Sequence, residues 1–293
     1  MSKSPVETSV WTGVVVGHLT GNGCTVNFLT KITPLILMWN EEENIGRVLD
    51  KLKWAERVVI VDSYSTDGSI AVAQGYDNVS IYSNKFTDHA TQWNFGLCET
   101  GIESPWVLAM DADYLLTDEL VGELATLEPK PETCGFYARF RYAIHGKVLR
   151  HALYPPVAAL FRRSSARYRQ QGHTQRLFVD GEVETLKGFV IHDDRKPLLR
   201  WLSSQDKYSA LECAHLLGAR WSDLRWQDRI RLWIFIAPWL VPLYFLFLRG
   251  GLFDGYHGWL YALQRGIAEA VLSIKLVEHR IIRKKPEISK DRG

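Results

Sequence analysis

Short apolar runs alternate with amphipathic stretches from residue 32 onward. Ile32 to Trp39 reads as a strand, and Arg57 to Val61, Val79 to Tyr82 and Trp106 to Met110 repeat the pattern. Runs this short leave no room for a helix face and suit strands buried on both sides. Between the first two, Ile45, Val48, Leu49 and Leu52 fall at i, i+3, i+4 and i+7, one face of a helix. The acids Glu41 to Glu43 at its start favour the positive end of the helix dipole. A short helix through Ala73 and a helical segment at Trp93 to Leu97 complete the alternation. Strands alternating with short helices predict a parallel α/β sheet with right-handed crossovers.

The pattern changes after Asp113. Phe136, Ala138, Phe140 and Tyr142 alternate with Tyr137, Arg139 and Arg141, as in a half-buried antiparallel strand, and His145-Gly146-Lys147 turns the chain back. Ala158 to Phe161 and Phe189 to Ile191 add short strands, so the second half of the sheet is expected to be mixed. From Leu198 the spacing of Trp201, Leu202, Tyr208 and Leu211 becomes helical. Leu232 to Leu248 then runs seventeen residues without a charge. That is the short limit for crossing a bilayer, roughly 17 to 25 residues. Pro238 and Pro242 kink it, so a bent hairpin dipping into the membrane is expected. Arg229, Arg231 and Arg249 flank the run, and Trp233, Trp239 and Tyr244 supply interfacial rings. Gly250-Gly251 marks a hinge before a last helix with a basic end at Arg280, Arg283, Lys284 and Lys285, suited to anionic headgroups. The expected organisation is a poorly specified leader (1–31), an α/β domain (32–197, dividing at 113) and a helical region (198–293).

Composition narrows the partners. With 46% apolar and 23% charged residues the chain can bury a core, and 35 basic against 33 acidic residues leave no field that would gather nucleic acid. Cys24, Cys98, Cys134 and Cys213 form no C-x-x-C pair, as expected of reduced core residues in a cytosolic protein. The start lacks a charged opening followed by a sustained apolar core, so no signal peptide is expected.

The chemistry concentrates at Asp111-Ala112-Asp113, where the fourth apolar run stops. At a strand's carboxyl end these acids would stand where open α/β sheets bind ligands. Two carboxylates one residue apart can share a hard divalent cation that also bridges to substrate phosphates. The same tripeptide also serves as a solvated turn, so its meaning depends on the surrounding pattern.

Four features occur in fixed order: a strand ending in Asn40-Glu41, a strand ending in Asp62-Ser63-Tyr64-Ser65-Thr66-Asp67-Gly68, the segment Trp93-Asn94-Phe95-Gly96, and Asp111-Ala112-Asp113. Together they resemble the nucleotide-sugar half of the family 2 glycosyltransferases, which have a GT-A fold. Gly172-His173-Thr174-Gln175-Arg176-Leu177, His192-Asp193-Asp194 and the Gly250 to Gly255 tail look like the bacterial cell-envelope branch, which includes lipopolysaccharide-core enzymes. The resemblance implies a Rossmann-like domain with a mixed sheet and an inverting transfer from a nucleotide sugar, UDP-linked by preference. It implies a lipid-linked saccharide or lipopolysaccharide core as acceptor. A polyprenyl phosphate acceptor, or a non-catalytic nucleotide-sugar binder on the membrane, are the competing readings. The enzyme would work at the cytoplasmic face of the inner membrane, held peripherally, monotopically or by a re-entrant segment.

The resemblance also assigns residues. Asp113 would hold Mg²⁺ or Mn²⁺, with Asp111 on the metal or the ribose, and the cation would neutralise the departing diphosphate. Asn40, Glu41 and Asp62 would hold the nucleotide, with Ser63 where many relatives carry a second acid. Asn94 either touches the sugar nucleotide or fixes a loop, and Asp67 serves as a helix N-cap. Relatives often carry His-Glu where this chain has His173-Thr174-Gln175. His173 therefore becomes the candidate base, its ordinary pKa of about 6.5 suiting the task, with Asp194, Asp193 and Glu182 as alternatives. For an ionised phosphate acceptor no base is needed, and Arg162, Arg163 and Arg169 become candidate anion contacts.

Overall fold

The computed structural model describes residues 27–150, 154–171 and 174–283. The first half alternates as expected: β1 (Ile32–Met38), α1 (Glu42–Asp50), β2 (Val58–Asp62), α2 (Ser69–Ala73), β3 (Val79–Ser83), α3 (His89–Glu99) and β4 (Trp106–Asp111). The second half contains β5 (Tyr114–Leu116), α4 (Asp118–Ala125), β6 (Thr133–Ile144), β7 (Lys147–Val148), β8 (Val157–Arg162), β9 (Ala166–Gln171), β10 (Thr174–Val179) and β11 (Glu182–His192). Helices α5 (Leu198–Gly218), α6 (Trp226–Arg231), α7 (Ala237–Leu243) and α8 (Gly255–Arg283) follow.

The main sheet runs β3-β2-β1-β4-β8-β6-β11-β5, with β7 paired to β6 alone. Strands β3, β2, β1 and β4 are parallel; β8 lies antiparallel between β4 and β6. Strand β11 is parallel to β6, and the short β5 closes the edge antiparallel to β11.

Period-two alternation explains why the parallel strands are apolar throughout. Ile36, Met38, Ile60, Leu108 and Met110 face a core covered by Ile45, Val48, Leu49 and Leu52 of the α1 region. Leu35, Val59, Val61, Val107 and Ala109 face a second core covered by Ala90, Trp93 and Leu97 of α3. Both faces are dry, so each strand position must be apolar until the edge is reached. Gly96 sets how close α3 comes: a Cβ there would stand 2.7 Å from Leu35 Cδ1 and 3.2 Å from Val61 Cγ2. At the other end of the sheet, Phe28 is buried against Trp106, ring centroids 5.5 Å apart. The last residues of the expected leader thus pack into the core.

Strands β9 and β10 form a separate two-stranded sheet that sequence patterning did not reveal. The expected hairpin at His145-Gly146 is present, with φ of 47° and 83° at these residues, the left-handed values a two-residue turn needs.

The Leu232 to Leu248 run is not one helix. Ile234 adopts φ 57°, Pro238 sits in the first turn of α7 and Pro242 inside it, and Tyr244 to Leu248 form a single π turn. Among the described residues, no helix is long and apolar enough to cross a membrane. The broken segment, through Phe245 and Leu246, and α8, through Tyr261 and Ala262, dock on the α/β domain by packing with Ile144 and Leu149 beside β7. Arg231 ties the helices together, 2.9 Å from Glu212 of α5 and 3.0 Å from Glu269 of α8.

Candidate active site

The strand register brings two acidic strand ends, Asp62 and Asp111, and the Asn40-Glu41 loop after β1 to one edge. Met38 pairs with Asp62, and Leu37 pairs with Asp111, so β2, β1 and β4 finish side by side. The loops beyond them are stitched together. Asp62 is fully buried and accepts from Ser65 N at 3.0 Å and Ser65 Oγ at 2.5 Å. Ser65 Oγ accepts from Asn40 N at 2.8 Å, while Asn40 Oδ1 accepts from Thr66 N at 2.6 Å. Asn40 and Tyr64 both take positive φ, 55° and 60°. Asn tolerates that region because its short amide bonds locally, as it does here. Asp67 accepts from Ser69 N at 3.0 Å, a structural role, but Gly68 and not Asp67 is the N-cap of α2. Ser63 Oγ accepts from Gln92 Nε2 at 2.9 Å.

Asp111 stands exposed at the end of β4 but is ringed by protein; desolvation and the neighbouring Asp113 charge push its carboxyl pKa up. Asp113 is buried. Its Oδ2 lies 3.2 Å from His192 Nε2 and 3.5 Å from Lys196 Nζ. Burial alone would raise the Asp113 pKa, but His192 and Lys196 outweigh it and hold the carboxyl below its usual range. Two contacts fix this arrangement: Tyr114 pairs with His192 between β5 and β11, and Asp193 N donates to Asp113 O at 3.2 Å. The rings of Tyr114, Tyr142 and Tyr154 surround the imidazole at centroid distances of 5.3, 4.9 and 5.3 Å.

Lys196, just past β11, is the hub. Its ammonium lies 3.0 Å from Glu41, 3.3 Å from Asp194 and 3.5 Å from Asp113. Desolvation opposes the charge, yet the three carboxylates hold the Lys196 pKa above its ordinary value. Burial raises the Glu41 pKa, and Lys196 and the Asn44 amide (2.9 Å) counter it. Sequence reasoning assigned no role to Lys196 or His192. The available signal was the run His192-Asp193-Asp194 at a strand end, followed closely by a basic residue.

Other expected residues fall elsewhere. Asn94 donates to Tyr168 O at 2.8 Å and accepts from Tyr168 N at 3.0 Å, so its amide hooks β9 to α3. Asp193 is buried between Arg47 Nη1 (2.8 Å), Arg195 Nε (3.0 Å) and Gly146 N (3.1 Å), a structural set. Glu182 begins β11 and His192 ends it, which places Glu182 roughly 33 Å along the strand from the site. Arg162 stacks on Trp106 at 4.7 Å and donates to Thr133 O at 2.8 Å. It therefore lies at the opposite edge of the sheet and is no anion contact for this site. His173 lies outside the described residues.

The donor set can be tested against the expected cation. Asp113 Oδ1 is buried without a hydrogen-bond partner among the described residues, and Asp111 offers a second hard oxygen close by in sequence. Among the described residues no trio of His, Cys, Asp or Glu is gathered tightly enough to hold a metal alone. Mg²⁺ characteristically takes one or two carboxylates and completes its shell with water and substrate phosphates. The residues present fit a cation bridged to a diphosphate.

Known proteins identify the family of the chain. A model of glycosyl transferase family 2 matches residues 35–182, just over half of the 293. The lipopolysaccharide core biosynthesis glycosyltransferase LpsC of Rhizobium meliloti is 25% identical over 272 residues, spanning 88% of this chain and 96% of that protein. An uncharacterised glycosyltransferase of Rickettsia typhi is 23% identical over 248 residues, 78% of this chain and 81% of its own. Among solved structures, S. aureus TarS 1-349 in complex with UDP-GlcNAc superposes with a TM-score of 0.46 at 14% identity, covering 87% of this chain and 93% of that one. The family match over more than half of the chain shows that the chain belongs to glycosyl transferase family 2, and its mixed sheet, with β1 to β4 on one side and β8, β6, β11 and β5 on the other, is the GT-A arrangement expected of that family.

Proposed function

We propose that the enzyme transfers one sugar, with inversion, from a UDP-linked donor to a lipid-linked saccharide of the lipopolysaccharide-core type, at the cytoplasmic face of the inner membrane. The observation that carries the donor half is the buried, unpartnered Oδ1 of Asp113 beside the exposed Asp111, at the edge where β1, β2 and β4 end. The similarity to LpsC over nearly the whole chain supports the acceptor class.

Within this reading Asp111 and Asp113 hold Mg²⁺ or Mn²⁺, which as a Lewis acid stabilises charge on the diphosphate leaving group. Asn40, Asp62 and Ser63 act chiefly by fixing the two loops that frame the nucleotide, because their polar atoms are engaged with Ser65, Thr66 and Gln92. Lys196 holds Glu41 and Asp194 in place. An inverting displacement needs a group that takes the acceptor hydroxyl's proton; Asp194, at the margin of the carboxylate cluster, and His173 are the candidates. The acceptor would arrive from the bilayer. The segment from Trp233 to Leu263 carries Phe235 (77% exposed), Trp239 and Phe253 (both 73%), with Phe247, Leu248 and Trp259 also exposed. So much solvent-facing aromatic surface marks an interaction site rather than ordinary surface. Rings flanked by Arg229 and Arg249 suit the headgroup layer.

The test is a donor screen by thermal shift with Mn²⁺ present, over UDP-, GDP-, CMP- and dTDP-sugars. Binding to the folded state alone raises the melting temperature by mass action. A UDP-sugar should give the largest shift and should be turned over with a core-oligosaccharide acceptor. Preference for another nucleotide would overturn the base assignment, and no shift with any nucleotide would overturn the donor site.

A further inference from the structure

We propose that Lys196 is a resident counter-cation that excludes free divalent metal from the donor site and hands over to it only when a nucleoside diphosphate arrives. The inference rests on the donor site proposed above and adds a residue and an order of events to it.

Glu41, Asp111, Asp113 and Asp194 bring four carboxylates to one small region. A protein cannot hold such a set at close range without cations inside it, because each buried charge left unpaired costs far more than a paired one. The structure shows how this chain solves the problem. Lys196 reaches from the loop after β11 and places one ammonium within 3.0 to 3.5 Å of Glu41, Asp194 and Asp113. These carboxylates come from three separate stretches of chain: the loop after β1, the loop after β4, and the Lys196 loop itself. Lys196 touches all three, while Arg200, 3.6 Å from Glu41, and His192, 3.2 Å from Asp113, each reach one of them.

The ammonium and the expected metal share the Asp113 carboxylate. Lys196 contacts Oδ2 of Asp113 at 3.5 Å, while Oδ1 of the same carboxylate is buried and unpartnered among the described residues. A cation entering on Oδ1 would meet the Lys196 charge one carboxylate away. A free divalent ion must therefore displace Lys196 or bear its repulsion. A nucleoside diphosphate changes the balance, because its phosphates give the ammonium a new anionic partner. Lysine suits this exchange: it is a compact point charge on a flexible four-carbon stem, with donors that rotate to a new acceptor. His192 is held differently, boxed by three tyrosine rings against Asp113, and has no comparable freedom.

The consequence is a pair of effects of opposite sign. Removing the ammonium should make the carboxylates a better seat for metal alone and a poorer one for nucleotide alone. A purely structural lysine would give losses in both.

The experiment uses the full chain, wild type against Lys196→Met, with Lys196→Arg as the charge-preserving control. Free Mn²⁺ binding is read by electron paramagnetic resonance without nucleotide. UDP binding is read by calorimetry, once in EDTA and once with Mn²⁺. Replacing one charge-assisted contact is expected to change each affinity by about tenfold. K196M should bind Mn²⁺ alone about tenfold more tightly and UDP in EDTA about tenfold more weakly, with K196R closer to wild type in both. Unchanged or weakened Mn²⁺ binding by K196M overturns the proposal. So does a wild-type enzyme that binds Mn²⁺ as tightly without UDP as with it, a result that needs no variant. If wild type binds no UDP under either condition, the donor site itself is refuted and this inference falls with it; UDP binding with unaltered metal affinity in K196M refutes the exchange alone.

Discussion

Asp113→Asn is the perturbation that most directly separates structure from chemistry at this site. The change keeps size and one acceptor oxygen but removes the charge facing His192 at 3.2 Å and Lys196 at 3.5 Å. At an effective dielectric of about 20, each of those attractions is worth about 5 kcal/mol gross. Much of this cancels, because the Asn also relieves repulsion with Asp111, Glu41 and Asp194. The net loss should resemble that of one charged hydrogen bond, about 1.5 to 3 kcal/mol. Typical domains have about 5 to 15 kcal/mol of stability, so even at the lower end D113N stays more than about 95% folded at 25 °C. Instability therefore cannot mimic a large kinetic loss. Removing a group preorganised to stabilise leaving-group charge costs about 10² to 10³ in kcat. The assay is turnover of the UDP-sugar identified by the donor screen, at saturating Mn²⁺, alongside urea unfolding of the same preparations. D113N should lose at least about 100-fold in kcat while its urea midpoint moves modestly. Turnover within about threefold of wild type, a difference of under 1 kcal/mol in the barrier, would refute the role given to this carboxylate.

Four further outcomes are expected. His192 is buried, which disfavours its charge, but Asp113, Asp111 and Asp194 outweigh burial and raise its pKa. Its contribution to stability is therefore complete below the unfolded value near 6.5 and fades as pH rises through the higher folded value. The stability gap between wild type and His192→Gln should shrink as pH rises above about 6.5 in urea titrations, and a constant gap would contradict the pairing. Gly96→Ala places a Cβ 2.7 Å from Leu35 Cδ1, and such overpacking should cost about 1 to 3 kcal/mol by urea unfolding; an unchanged midpoint would mean α3 moves freely. Asn94→Ala unhooks both Tyr168 backbone bonds and should lower stability by about 1 to 3 kcal/mol. Its UDP affinity in calorimetry should not change, and a large loss there would restore a donor contact. Changing Phe235, Trp239 and Phe253 together to Ser should weaken flotation with anionic liposomes at least about 100-fold, since each buried ring contributes about 1.5 to 3 kcal/mol. Equal flotation would move the membrane contact elsewhere.

The donor half of the domain was legible because its physics is local. Strands buried on both faces must be apolar almost from end to end, so Ile32 to Met38, Val58 to Asp62 and Trp106 to Asp111 announced themselves, the last two by stopping at an acid. The α1 face was legible for the same reason, through Ile45, Val48 and Leu49. Strands β9 and β10 were not, because Ala166 to Val179 mixes Arg, Gln and aromatic residues and pairs only with itself. Asn94 illustrates a different limit: an amide that binds a ligand and one that binds a strand read identically in sequence. Lys196 was missed because a lone lysine carries no pattern; its partners at Glu41 and Asp113 are separated from it by more than eighty residues of chain. The apolar Leu232 to Leu248 run and its proline kinks were visible, but the break at Ile234, which packs with Leu272 and Leu276 of α8, was not.

The β9–β10 ribbon shares no backbone ladder with the nine-stranded sheet and is moored at its base by Asn94 and the stacked Trp93–Tyr168 rings. Its inner side is packed through Ala166, Tyr168, Leu177 and Val179, so only its outer side chains can change while the donor edge keeps its register. The outward side of the ribbon is thus free to diverge among relatives without disturbing the strands that carry Asp62 and Asp111.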